Sequence, residues 1–159
     1  MRYRICEIEP KHNRAIEAVI RTCLVEYGAN HEGTAWVDPD LGRFSEVYAP
    51  ENSAYWVAVD EDDEVVGGVG VGPLAGVPGV CELQKMYCLP CARGTGLAHQ
   101  LMNRALAFAA SLYDSIYLET LGNMTAAQRF YEKHGFVRID ESLGNTGHNS
   151  CDVRYLRKL

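Results

Sequence analysis

No stretch of this chain is apolar for the roughly 20 residues a membrane span needs. Its opening residues, Met1-Arg2-Tyr3-Arg4-Ile5-Cys6-Glu7, lack the apolar region of an export signal. No membrane partner and a cytoplasmic location are therefore expected. Positive charge is scarce as well: 15 Lys and Arg stand against 21 Asp and Glu, a net charge of −6. A nucleic-acid backbone needs a basic face, so no nucleic-acid partner is expected, and the balance leans toward cationic partners such as amines. The six cysteines (Cys6, Cys23, Cys81, Cys88, Cys91, Cys151) lack the export context of a disulfide scaffold, so reduced thiols are expected. Cys88-Leu89-Pro90-Cys91 has the Cys-x-x-Cys spacing of redox and zinc sites. A zinc site wants four ligands, however, and neither a second such pair nor a His-x-x-x-His accompanies it, so no metal is expected. Internal repeats and low-complexity tracts are also missing.

What is present is a sequence 47% hydrophobic over 159 residues, enough for one sizeable core, so residues 1–159 are read as a single domain. Tyr3 to Ile8 reads as a strand. Pro10 ends it and leads into a helix from about Asn13 to Tyr27, where Ile16, Val19, Ile20, Cys23 and Leu24 recur at helical steps. Ala29 to Pro50 is loop-rich, with a possible short helix over Leu41 to Val47. Ala54–Val59 and Val65–Val71 flank the acidic turn Asp60–Glu64 and predict an antiparallel hairpin. A long strand over Cys81–Leu89 then runs into Arg93-Gly94-Thr95-Gly96. The helix beyond carries Leu97, Leu101, Ala105, Phe108 and Leu112 as its expected core stripe. Tyr117–Thr120 reads as a strand, and Thr125 with Gln128 has the spacing of a capping box. That helix ends at His134-Gly135, with the last strands over Phe136–Ile139 and Asp152–Leu156 and a Gly/Asn-rich loop over 144–150. Interleaved strands and helices give an α/β (α+β) class with a mixed, mostly antiparallel sheet flanked by helices.

The glycine turn carries the first functional signal. Glycines at 94 and 96 let the main chain approach a ligand, and the unpaired N–H groups at a helix start point toward an anion such as a diphosphate. A mononucleotide P-loop would need Gly-x-x-x-x-Gly-Lys-Ser/Thr, which is absent. A Rossmann turn would need a third glycine where His99 stands.

The segment Cys91-Ala92-Arg93-Gly94-Thr95-Gly96 resembles the acyl-CoA-binding motif of the GCN5-related N-acetyltransferases, Gln/Arg-x-x-Gly-x-Gly/Ala, with Cys91 at the place of the usual Gln or Arg. Met124 to Phe136 resembles that family's Asn-x-x-Ala-x-x-Leu-Tyr-Glu-x-x-Gly-Phe. Ala127, Tyr131, Glu132, Gly135 and Phe136 fall in register, and Met124 replaces the Asn. Leu83-x-Lys85-Met86-Tyr87-x-Leu89-Pro90 is similar to a bacterial subgroup.

The resemblance implies acetyl-CoA as cosubstrate, a primary amine of a small molecule or protein as acceptor, and a possible homodimer. It also implies the site. Met86, Tyr87 and Cys88 would pair with the pantetheine arm. Arg93, Gly94, Thr95, Gly96, Leu97 and Ala98 would cradle the pyrophosphate, and Asn123, Ala127 and Tyr131 would complete the cofactor contacts. Tyr131 is the candidate general acid, since a phenol is neutral at working pH and can donate to a departing thiolate. Two candidates exist for the base. Glu119, twelve residues before Tyr131, resembles the base of ribosomal-protein N-terminal acetyltransferases, and Glu82 resembles that of the histone-type branch. His99 and His148 read as structural or exposed, while Trp36 and one of Tyr55 and Trp56 could wall an acceptor pocket. Two rival functions remain: a catalytically silent acyl-CoA-binding or sensing domain, and a thiol-redox protein built on Cys88 and Cys91.

Overall fold

The computed structural model describes residues 2–146 and 150–159, so His148 lies outside the described residues. One seven-stranded sheet is formed by β1 (Arg4–Glu7), β2 (Ala54–Val59), β3 (Val65–Pro73), β4 (Val80–Cys88), β5 (Ser115–Thr120), β6 (Val137–Ile139) and β7 (Val153–Lys158). Their order across the sheet is β1-β2-β3-β4-β5-β7-β6, and every neighbouring pair is antiparallel except β4 with β5. The mixed, mostly antiparallel sheet is thus as the sequence predicts. So is the first hairpin, closed by Asp60 N–H on the Glu64 carbonyl at 2.9 Å.

Helix α3 (Leu97–Leu112) covers one face, and α1 (Asn13–Glu26) with the short α2 (Phe44–Val47) covers the other. Strand alternation therefore sorts Trp56, Val69, Leu83 and Leu118 into the core under α3, and Tyr55 and Val57 into the core with Ile16, Ile20 and Phe44. The α3 stripe differs from expectation. Leu112 is 52% exposed, while Met102 and Ala109 are buried with Leu97, Leu101 and Ala105. A 3.6-residue repeat drifts around a 16-residue helix, so the buried face at its end is not the one a strict spacing projects. Helix α4 (Thr125–Lys133) starts where expected but without the capping box. Met124 is its N-cap, and the Gln128 amide donates instead to the carbonyls of Leu121 and Gly122 at 3.1 and 3.2 Å. Gly135, at φ +85°, ends the helix as predicted, in the left-handed region that only glycine enters without strain.

The feature that positions the site is the parting of β4 from β5. These parallel strands pair only over Val80, Cys81 and Glu82 against Ser115, Ile116 and Tyr117. Beyond Glu82 the sheet splits. On the β3 side β4 is bulged: Gly68 faces Tyr87 while Gly70 faces Gln84, so one β3 residue opposes two on β4. Lys85, in the bulge, has φ +49°, an uncommon conformation for a residue with a Cβ. Two side chains hold it. The Tyr55 hydroxyl donates to the Lys85 carbonyl at 2.7 Å, and the Lys85 ammonium pairs with Asp38 at 2.8 Å. The Tyr55 ring reaches across β3 because Gly68 and Gly70 leave it room. A Cβ on either glycine would come within 2.7 Å of that ring.

Candidate active site

The split in the sheet opens two cavities that share a wall. The larger, about 290 Å³, runs from the end of β4 to the start of α3 and α4, and is lined by Tyr27, Cys88, Arg93, Gly94, Ala98 and Ala127 among others. The smaller, about 70 Å³, lies on the far side of β4 and β5 and is lined by Glu82, Gln84, Lys85, Glu119 and Cys151 among others. Met86, Tyr87, Met124 and Tyr131 line both.

At the mouth of the larger cavity the glycine turn takes the expected form. Gly94 and Gly96 both have left-handed φ, +75° and +86°, and a Cβ on either would meet nothing within 4 Å. Their absence of side chains serves the backbone angle and leaves bare amides facing open space. Leu97 and Ala98 begin α3, so neither N–H has a partner within the helix. Thr95 braces the turn: its hydroxyl donates to the Ala92 carbonyl at 2.5 Å and accepts from Leu97 N–H at 3.4 Å. Leu97 itself is core, so only its backbone can serve a ligand.

Along β4, Leu89 N–H donates back to Val66 on β3 at 2.8 Å. By alternation the backbone groups of Cys88 turn the other way, into the split. The Cys88 carbonyl accepts from Arg93 Nε at 3.1 Å and from the Cys23 thiol at 3.5 Å.

Arg93 is ion-paired with another element. Its guanidinium forms a two-pronged pair with Glu26 of α1, at 2.6 and 2.8 Å. The Arg93 hydrogen bond holds the Glu26 carboxyl below its ordinary range. Asn123 is placed away from both cavities. Its amide donates to the Tyr27 carbonyl at 2.9 Å and lines a separate polar depression with His31 and Asp152.

Tyr131 is only 8% exposed, and its hydroxyl has no hydrogen-bond partner among the described residues. Burial, then the neighbouring Cys88, raises its pKa, so the phenol stays protonated across the physiological range. On the other side of the shared wall, Glu82 stands opposite Tyr117 in the parallel seam, and Glu119 follows two residues on, on the same face. Glu119 Oε2 accepts from the Tyr117 hydroxyl at 2.6 Å, and its Oε1 accepts from the Thr146 hydroxyl. Glu82 accepts from the Gln84 amide at 2.8 Å, and Gln84 in turn accepts from the Tyr48 hydroxyl at 2.8 Å.

The aromatic pocket-wall expectation is corrected. Tyr55 and Trp56 are both core residues, and neither they nor Trp36 lines the small cavity. Trp36 instead lies under the Arg21 guanidinium at 4.7 Å. His99 is bonded to His134 at 2.8 Å on the exposed faces of α3 and α4 and lines neither cavity. Sequence reasoning gave no site role to Gln84, Lys85 or Cys151, of which only Lys85 lies in a quoted motif. Alternation from Glu82 could have put Gln84 on the same face. For the thiol-redox rival a depressed thiol would be needed at Cys88, yet burial pushes it up to about 11, with Cys23 adding to the effect.

A mixed sheet split between its two parallel strands, with a glycine-cradled helix start below the split and a buried phenol at its centre, defines a class of acyl-transfer enzymes that lay a thioester carrier into the gap. The comparisons agree. The family model for the acetyltransferase (GNAT) domain matches residues 51–138. The Escherichia coli K12 N-acetyltransferase YjgM is 45% identical over 150 residues, covering 92% of this chain and 89% of that protein. A crystal structure of an acetyltransferase from Streptococcus agalactiae superposes with a TM-score of 0.84 at 25% identity, over 99% of this chain and 98% of that one. The PaiA N-acetyltransferase of Thermoplasma acidophilum, solved in complex with coenzyme A, shares the fold at a TM-score of 0.73 and 14% identity, over the full length of both chains. The chain belongs to the GNAT acetyltransferase family, and so to the acetyl-CoA-dependent N-acetyltransferases.

Proposed function

We propose that this enzyme moves the acetyl group of acetyl-CoA directly onto a primary amine, with Tyr131 as general acid and Glu119 as general base. The observation that carries the reading is the shared wall: Tyr131, whose hydroxyl has no hydrogen-bond partner among the described residues, borders both a cavity suited to the cofactor arm and one walled by carboxylates. Acetyl-CoA supplies an acyl group on a sulfur that becomes a good leaving group once its developing charge is met by a hydrogen bond. The chain supplies the rest.

The amides of Gly94, Thr95, Gly96 and Ala98 suit the pyrophosphate. The strand-edge groups of Met86 and the N–H of Cys88 suit the amides of the pantetheine arm, the Cys88 carbonyl being already engaged by Arg93. Tyr87 and Ala127 wall the arm's path. Arg93 reaches the phosphates only by sharing or leaving Glu26. Glu119 is favoured over Glu82 as base because two hydroxyls orient it, on the wall that it shares with Tyr131.

Tyr131→Phe tests the assignment. It should lower kcat at least about ten-fold, about 1.4 kcal/mol, while the acetyl-CoA Kd measured by calorimetry changes little. Undiminished turnover would remove Tyr131 from the chemistry. A silent acyl-CoA-binding domain would instead bind acetyl-CoA and release no coenzyme A with any amine.

A further inference from the structure

Resting on the reading of the larger cavity as the coenzyme's, we infer that the His99–His134 pair holds the phosphate monoester that acetyl-CoA carries on its ribose, and takes up a proton as it does so. The pair stands just outside that cavity. His99 lies in the first turn of α3, and a helical side chain leans toward the N-terminus of its helix, here the glycine turn. His134 caps the end of α4, and its ring packs at 4.4 Å against Phe130, which lines the cavity. With the pyrophosphate at the turn and the arm inside, the ribose end of the coenzyme leaves outward. Charge selects the side. On one flank of the turn Glu26 stands beside Arg93 and repels a phosphate, while the other flank is the histidine pair.

For a neutral pair the hydrogen bonds fix every ring proton. The Phe130 carbonyl can only accept, so His134 Nδ1, at 2.9 Å, carries a hydrogen. His134 Nε2 is then the acceptor for His99 Nδ1 at 2.8 Å, and His99 Nε2 accepts from the Asn103 amide at 3.2 Å. Each ring nitrogen is engaged, and none has a hydrogen to offer an anion. One added proton reverses the chain. It settles on His134 Nε2, at the C-terminal end of α4, where a cation is favoured. His99 then accepts at Nδ1 and carries its own hydrogen on Nε2. That N–H and the Asn103 amide, no longer bonded to each other, both donate to a phosphate oxygen.

The surroundings disfavour that proton until an anion arrives. Helix α3 carries no Asp or Glu, and the one acid of α4, Glu132, accepts from the Tyr155 hydroxyl at 2.6 Å. The other charged groups on the elements around the pair are cations: Arg104 on α3, Arg129 and Lys133 on α4, and Arg157 of β7, whose side chain packs against Gly135. A charged His134 among them is penalised, and a phosphate dianion removes the penalty, so proton and phosphate bind together. Imidazole is the side chain that exchanges a proton near neutrality. The thiols lining the cavity do not compete in that range, since burial raises Cys23 and pushes Cys88 up to about 11.

The test is calorimetric titration of the enzyme with acetyl-CoA and with its analogue lacking the ribose phosphate, each at about pH 8.5 and about pH 6.5. A ligand that prefers the protonated pair binds better where protons are plentiful. Acetyl-CoA should therefore bind about five-fold tighter or more at the lower pH, while the analogue should change by less than about two-fold. The phosphate's own second ionisation, at about pH 6, works against this trend and cannot produce it. In His99→Gln, acetyl-CoA should lose its pH dependence and follow the analogue. Should that variant fail to fold, titrating the unaltered enzyme in buffers of different ionisation enthalpy should register proton uptake with acetyl-CoA and none with the analogue. Equal affinities for the two ligands at both pH values overturn the inference while leaving acetyl transfer standing. So does an advantage of acetyl-CoA that is the same at both, which would give the phosphate to the fixed cations alone. Binding of neither ligand overturns the reading of the cavity itself, and this inference with it.

Discussion

The two cavities meet at Tyr131 but are made in opposite ways. In the cavity proposed for the cofactor, the groups on offer are backbone ones from one continuous stretch, Met86 to Ala98, shaped by two left-handed glycines. In the cavity proposed for the acceptor they are side chains gathered from β4, β5 and two loops, Glu82 and Lys85 from one strand and Glu119 and Cys151 from further along the chain. A backbone site tolerates exchange of its side chains but not of its dihedral angles. A side-chain site has the reverse sensitivity.

Exchanges on each side can break that contrast. Glu119→Gln, which alters one acceptor-side group and no backbone, should reduce kcat about 100-fold, the usual worth of a general base, and remove its acidic limb from the kcat–pH profile. Acetyl-CoA affinity should hardly move. Retention of the acidic limb would take Glu119 out of the base role. Gly96→Val is the counterpart on the cofactor side. Forcing a branched residue to φ +86° costs about 2 kcal/mol, so the acetyl-CoA Kd should rise about 30-fold, with turnover at saturating cofactor less affected. An unchanged Kd would show that the turn does not grip the cofactor.

Gly70→Ala probes the partition between the two sides. Its Cβ would sit 2.6 Å from the Tyr55 ring and 2.9 Å from Tyr48, both packed around Phe44. The melting temperature should fall by about 3–10 °C. Activity should fall with it, because Tyr55 braces the bulge that opens the split. Full activity in a destabilised variant would mean the bulge holds without its brace.

The smallest expected effect comes from Glu26→Gln. Freeing Arg93 should tighten acetyl-CoA binding about two- to three-fold at low salt and less at high salt, as suits a partly exposed pair. Weaker binding would instead mean that Glu26 holds Arg93 in its productive position. The same pair gives a pH dependence. A carboxyl held below its unfolded range adds stability at neutral pH that is lost as pH falls through its folded pKa, so Glu26→Gln should flatten the acid end of the stability profile.

Much of the fold was legible because periodicity and punctuation are local. The first hairpin, the helix of Ile16 and Leu24, and the Gly94–Gly96 turn follow from residues within a few positions of one another. The capping box was misjudged because Thr125 and Gln128 have the right spacing, yet Gln128 finds better acceptors in Leu121 and Gly122, which only the path of the preceding loop brings near. One of Tyr55 and Trp56 looked like a pocket wall. Alternation does separate their faces, but both faces of β2 are covered by helices, so both rings end in core. Arg93 read as a charge awaiting phosphate, since nothing in its neighbourhood announced Glu26, 67 residues earlier.

The sequence by itself determined the glycine turn, because its form depends on φ angles that two glycines permit and on the start of the helix that follows. It also determined the order of strands and helices. Only the tertiary structure decided how β4 parts from β5, since that depends on Tyr55 reaching across glycines on a third strand. Only it decided which carboxylates share a cavity wall, because that depends on side chains brought together from distant positions.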